Sequence, residues 1–134
     1  MTEPSKRRVL IIDDEEDLLT MLTLRLEASG RFEVLTARDG RSGIESVAGF
    51  KPDVVLVDGA MPGMDGWEVC RRLRAEPACR GAALVMMTAG SPRGAEKRAR
   101  EAGVDALVLK PYESDALLET LGQVRPARSR EETC

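Results

Sequence analysis

Residues 53 to 58 read Asp-Val-Val-Leu-Val-Asp, four consecutive apolar residues between two aspartates. An unbroken apolar run of this length, without polar alternation, suits a strand covered on both faces, as in a parallel sheet between helical layers. The signature recurs along the chain. Val9-Leu-Ile-Ile12 ends in Asp13, Ala83 to Met87 ends at Thr88, and Ala106 to Leu109 ends in Lys110-Pro111. Phe32 to Ala37 reads as one further strand, second in chain order.

Helical stretches separate these runs. Asp17 to Ser29 carries Leu18, Leu22 and Leu26 at every fourth position and is closed by Gly30. Asp39-Gly40 reads as a turn, followed by a short helix with Ile44, Val47 and Ala48 on one face and Pro52 as its breaker. Trp67, Cys70 and Leu73 line a helix ending near Pro77, and Arg93 to Ala102 forms a weak helix whose apolar face is Ala95, Ala99 and Ala102. Ser114 is placed to cap a last helix carrying Leu117, Leu118, Leu121 and Val124. Five alternating strand–helix units predict an α/β fold: a five-stranded parallel sheet with helices on both faces. Right-handed crossovers favour the flavodoxin-like order.

Composition narrows the function classes. The 134 residues, 43% apolar and 32% charged, describe one globular domain. A net charge of −3 and a pI near 5.2 give no electrostatic footprint for nucleic acid or a membrane surface. The chain has no histidine, so Ser-His and Cys-His pairs, His-ligated zinc and a phosphohistidine on this chain are excluded. Aromatics at 3% argue against stacking platforms for single strands. Cys70, Cys79 and Cys134 form no C-x-x-C and read as free thiols in a reducing compartment. The first apolar run is too short for a signal peptide, which needs roughly 7–15 apolar residues, so a cytoplasmic location is expected. Residues 1–7 are read as a disordered N-terminus, 8–124 as the domain, and 125–134 as a disordered tail or the start of a linker.

The strand ends carry the chemistry. Asp13 and Asp14, Asp58, Thr88 and Lys110 each follow or end an apolar run, and the carboxyl ends of parallel strands open on one edge where ligands bind. Taken singly, an aspartate there is more often a turn or helix cap, and Asp13 to Asp17 would suit a helix N-terminal dipole. Four polar strand ends in agreement favour a site. Clustered carboxylates repel unless a cation compensates, and a hard ion such as Mg²⁺ suits an all-oxygen pocket. With the Lys110 ammonium nearby, the set fits phosphoryl transfer, one aspartate serving as nucleophile to form an acyl phosphate.

Val9-Leu-Ile-Ile-Asp13-Asp14-Glu15, Asp58-Gly-Ala-Met61-Pro62-Gly-Met64-Asp65-Gly66, Met87-Thr88-Ala89 and Leu109-Lys110-Pro111 resemble the receiver domains of bacterial two-component response regulators, of the single-domain chemotaxis-regulator kind. The resemblance covers about residues 8–124. It implies a (βα)5 receiver fold and a phosphorylation-activated switch that phosphorylates and dephosphorylates itself with Mg²⁺, without acting as an enzyme on external substrates. By position it implies Asp58 as phosphoacceptor, Asp14 as direct Mg²⁺ ligand, Asp13 as the acid supporting the metal and its waters, and the Ala60 main-chain carbonyl as a third ligand. Thr88 is implied as the hydroxyl that bonds the phosphoryl group, Lys110 as its salt-bridge partner, and the Lys110-Pro111 peptide as cis.

Two departures stand out. The switch position three residues before the lysine, often aromatic in the family, is Leu107, and Ala60 and Gly90 carry no polar group to orient a hydrolytic water. The pliable loop from Ala89 to Gly94 is therefore expected to carry more of the rearrangement than Leu107. The implied partners are a sensor histidine kinase or phosphotransfer protein and a downstream protein target, with no direct nucleic-acid or membrane binding by this domain. Rival readings are a receiver cut from a larger multidomain regulator, a pseudo-receiver that binds partners unphosphorylated, and a haloacid-dehalogenase-type phosphatase. The last usually has Asp-x-Asp and a cap domain, for which adjacent Asp13-Asp14 and this length leave no place.

Overall fold

A computed structural model describes residues 6–61, 63–89 and 94–126. Five strands, β1 (Arg7–Ile12), β2 (Phe32–Ala37), β3 (Val54–Asp58), β4 (Ala83–Thr88) and β5 (Ala106–Leu109), form one parallel sheet in the order β2-β1-β3-β4-β5. The helices are α1 (Glu16–Ala28), α2 (Gly40–Phe50), α3 (Gly66–Ala75), α4 (Ala95–Ala102) and α5 (Ser114–Gln123), with a 3-10 turn at Pro77–Cys79. This is the flavodoxin-like order expected from the alternation.

Successive side chains of a strand point to opposite faces, and the core divides accordingly. Val9, Ile11, Val54, Leu56, Val85 and Met87 pack against Leu19, Leu22 and Leu26 of α1 and Leu117 and Leu121 of α5. Leu10, Ile12, Val55, Val57, Leu84 and Met86 pack on the other face against Val47, Trp67, Val69, Cys70, Leu73 and Ala99 and Ala102 of α4. The apolar residues of β1, β3 and β4 are buried because both faces are covered.

Several boundaries differ from the sequence reading. Leu19, with Leu22 and Leu26, fills the α1 core face, while Leu18 is only partly buried, so the stripe runs i, i+3, i+7. Asp39-Gly40 is the start of α2: Asp39 accepts from the Ser42 N–H at 2.7 Å. The inner face of α2 is Gly40, Gly43 and Val47, and Ala48 is exposed. A Cβ on Gly43 would lie 2.3 Å from Ile12 Cδ1, so a side chain there would have to displace that of Ile12. The residue capping α5 is Glu113, without a side-chain bond, and Ser114 is the first helical residue. Arg7, read as tail, opens β1, and its guanidinium donates to the Val124 carbonyl; Pro126 beyond is buried.

Cys70 and Cys79 are free and buried, and burial pushes their thiols up to about 12 and about 11, which makes them poor nucleophiles. Cys134, Gly90 and the tail from residue 127 lie outside the described residues. Among the described residues, no helix is long and apolar enough to cross a membrane.

Candidate functional site

Parallel pairing brings the strand ends level. Ile12 pairs with Val57, Asp58 with Met87, and Thr88 with Leu109. Main-chain bonds then carry the ladder past the strands: Asp13 N–H to the Ala37 carbonyl at 3.0 Å, Gly59 N–H to Met87 at 2.8 Å, and Lys110 N–H to Thr88 at 2.8 Å. The backbone that holds the polar residues is thus an extension of the sheet.

Carboxylate oxygens of Asp13, Asp14 and Asp58 lie within 4.8 Å of one another. Asp13 is fully buried and Asp58 is 2% exposed, whereas Asp14 opens to solvent. Lys110 Nζ donates to Asp58 Oδ1 at 2.9 Å, and the Ala60 N–H donates to the same oxygen at 3.1 Å. Asp13 Oδ1 accepts the Glu15 N–H at 2.9 Å, but its Oδ2 is buried with no partner. Burial raises the Asp13 carboxyl to about 6, against the Glu15 hydrogen bond and with help from the Asp58 charge. Burial works against the charged form of Lys110, yet its hydrogen bond to Asp58 and the charges of Asp58 and Asp13 raise it overall.

Among the described residues, the carboxylates of Asp13, Asp14 and Asp58 gather beside the Lys110 ammonium, and Asp13 Oδ2 is buried and unsatisfied. An all-oxygen donor set with this deficit of positive charge fits a hard divalent cation such as Mg²⁺. A stability prediction follows from the same deficit. A carboxyl raised to about 6 from its ordinary 3.8 penalises the folded state above pH 6, and the penalty vanishes below pH 4. Asp13→Asn keeps the acceptor for Glu15 and removes the charge. In chelator, thermal or urea melts should show the variant more stable at pH 7 by on the order of 3 kcal/mol, at about 1.4 kcal/mol per unit. The gain should shrink to nothing as pH falls from 6 to 4. An equal gain at both ends would mean that the benefit is packing.

The remaining positions fall on the same edge or behind it. Thr88 ends β4, half-buried. Ala60 is exposed in the turn after β3, and the Lys110-Pro111 peptide is cis. Leu107 is half-buried in β5 and packs towards α4. The loop expected to rearrange includes residues 90–93, which lie outside the described residues. Two contributions escaped the sequence reading. A Cβ on Gly66 would lie 2.7 Å from Gly59 Cα and 3.0 Å from the Asp58 carbonyl, so the head of α3 rests on the Asp58-Gly59 peptide. Tyr112 is half-buried, and its hydroxyl is raised first by burial and then by the Asp13 charge. The paired glycines were the available signal for the first, while nothing in the spacing pointed to the second.

A family model described as response regulator receiver domain matches residues 9–122. The response regulator PleD of Caulobacter vibrioides is 38% identical over 106 residues, 79% of this chain but 23% of PleD, so the chain spans about a quarter of that relative. Among solved structures, the Vibrio cholerae chemotaxis protein CheY4 superposes with a TM-score of 0.83 and 28% identity, over 90% of this chain and 99% of that one. The receiver domain of sensor histidine kinase PA1611 from Pseudomonas aeruginosa PAO1, with a magnesium ion coordinated in its active site cleft, gives a TM-score of 0.75 at 24% identity, over 87% and 95% of the two chains. The chain belongs to the receiver-domain family of two-component response regulators.

Proposed function

We propose that Asp58 accepts a phosphoryl group from a phosphohistidine on a sensor histidine kinase or phosphotransfer protein, and that the modified domain then engages a downstream protein. The carrying observation is the position of Asp58: buried at the centre of the edge, bonded to Lys110 at 2.9 Å, with two more carboxylates within 4.8 Å. Asp13, Asp14, Asp58 and the Ala60 main-chain carbonyl would hold Mg²⁺, and magnesium in the cleft of the PA1611 receiver domain supports that assignment. Bound there, the ion supplies charge neutralisation for the phosphoryl oxygens.

The chain's own residues do the rest. An Asp58 carboxylate oxygen forms the O–P bond as the donor's N–P bond breaks, leaving an aspartyl phosphate and an unmodified histidine. Lys110 is already aimed at Asp58 and moves its ammonium to a phosphoryl oxygen. The Thr88 hydroxyl donates to another, and its main-chain link to Lys110 ties the two responses together. In a separate hydrolysis step water attacks phosphorus, the bond from Asp58 oxygen to phosphorus breaks, and inorganic phosphate leaves a free Asp58 carboxylate, with neither Ala60 nor Gly90 offering a polar side chain to guide the water.

The family is a signalling one, which sets aside the haloacid-dehalogenase reading. The same switch would also serve an output domain in a longer regulator, a second reading favoured by the 23% share of PleD that the chain covers. The test is incubation with Mg²⁺ and a small acyl-phosphate donor, followed by intact mass. We expect a gain of one phosphoryl group, lost in chelator. No gain at any Mg²⁺ concentration would overturn the reading.

A further inference from the structure

The inner face of α4 is Ala95, Ala99 and Ala102, which offers little apolar area for holding a helix in one place. Two arginines from opposite directions act at its ends instead. At the C-terminal end, the Arg74 guanidinium of α3 donates to the Gly103 carbonyl at 2.8 Å, to Cys79 and Ala82 at 3.0 Å, and to Asp105 Oδ2 at 2.9 Å. That side chain is 11% exposed and its Asp105 partner 6%. Near the other end, Arg98 of α4 lies with its guanidinium carbon 4.8 Å from the centre of the Trp67 ring and 3.8 Å from Asp65 Oδ2. Both Arg98 and Asp65 are more than half exposed. The two contacts differ in kind. A buried fork bonded to three carbonyls and a carboxylate is hard to break, whereas an exposed cation–π contact with a loose ion pair is worth little.

Asp65 and Trp67 also sit at a telling place. The other oxygen of Asp65 caps α3 through the Trp67 N–H at 2.8 Å, and the intervening Gly66 rests on the Asp58-Gly59 peptide. Arg98 therefore touches the element that lies directly behind Asp58.

We propose that α4 is hinged at Gly103 on the Arg74 clamp and latched at Arg98 onto Trp67 and Asp65, and that phosphorylation of Asp58 releases the latch. The proposal rests on the phosphorylation reading above. An equilibrium between latched and released states is shifted only by contacts that differ between them, so removing the latch favours the released state and raises affinity for anything that selects it. Trp67 is the single tryptophan and reports the contact directly.

The experiment is a fluorescence titration of the full chain with beryllofluoride and Mg²⁺, a non-covalent phosphoryl mimic. In wild type, Trp67 emission should change on saturation. In Arg98→Ala the mimic-free emission should already resemble the wild-type saturated state, and affinity should rise roughly 2- to 5-fold, the equivalent of an exposed cation–π contact. Arg98→Lys, which keeps the cation, should return affinity towards wild type. Unchanged or weaker affinity in Arg98→Ala, or a Trp67 signal blind to the mimic, would overturn the latch while Mg²⁺-dependent phosphorylation by intact mass still upholds the phosphorylation reading. Loss of that phosphorylation in wild type would overturn both.

Discussion

Asp58→Asn should take up no phosphoryl group from an acyl-phosphate donor with Mg²⁺, under conditions in which wild type takes up one. The carboxamide keeps the size of the side chain and an oxygen to accept the Ala60 N–H and the Lys110 ammonium, both of which now bond to Oδ1 at 3.1 and 2.9 Å. It lacks the anionic nucleophile. An amide oxygen is a far weaker one, and losing a covalent-catalysis step of this kind typically costs several orders of magnitude in rate. Folding should survive, because a buried carboxylate beside two others is replaced by a neutral group of equal volume. The far-ultraviolet spectrum and melting temperature should therefore match or exceed those of wild type in chelator. Intact mass of both proteins after the same incubation settles it, and stoichiometric incorporation into the variant would move the acceptor elsewhere on the edge.

Arg74→Ala should be the most destabilising single truncation of a charged side chain. Arg74 joins α3, the turn at Pro77–Cys79, the start of β4 and the Gly103-Asp105 segment before β5. Asp105 Oδ2 also accepts the Leu84 N–H at 2.8 Å, so this one carboxylate aligns β4 while neutralising the guanidinium. Removing the arginine takes its guanidinium from a nearly buried carboxylate and a shared donor from three carbonyls. Breaking a buried pair from one side costs about 3–5 kcal/mol, a large part of the roughly 5–15 kcal/mol that keeps a domain folded. Urea denaturation should show that loss as a lower midpoint at unchanged slope. Arg74→Ala with Asp105→Asn should recover part of it, because the second change removes the carboxylate charge that Arg74 had offset. A loss below 1 kcal/mol, or no recovery in the double variant, would show the cluster to be incidental.

How much of this was readable without coordinates follows from the range of each interaction. The unbroken runs at Val9–Ile12 and Val54–Val57 announced strands covered on both faces, because in a doubly covered sheet every side chain meets protein. Periodicity cannot say which of two adjacent leucines lies nearest the sheet, and Leu19 took the place assigned to Leu18. Nor can it tell a turn glycine from one at a close packing contact, and Gly40 proved to face Val69 of α3 and Gly43 to face Ile12 of β1.

The strand-end residues Asp13, Asp14, Asp58, Thr88 and Lys110 were visible in the sequence because parallel strands deliver their carboxyl ends to one edge whatever the loops do. The unsatisfied Asp13 oxygen, the raised Asp13 carboxyl and the choice of Asp58 Oδ1 by Lys110 were decided by tertiary structure alone. So were the reach of Arg74 to Gly103 and Asp105, 29 and 31 residues away, and of Arg98 to Asp65, 33 residues away, contacts made only when α3 and α4 pack side by side. Apolar patterning is local and repeats, so one dimension records it. Burial of a charge and the partner it finds depend on which distant surfaces meet, and only the folded chain brings those surfaces together.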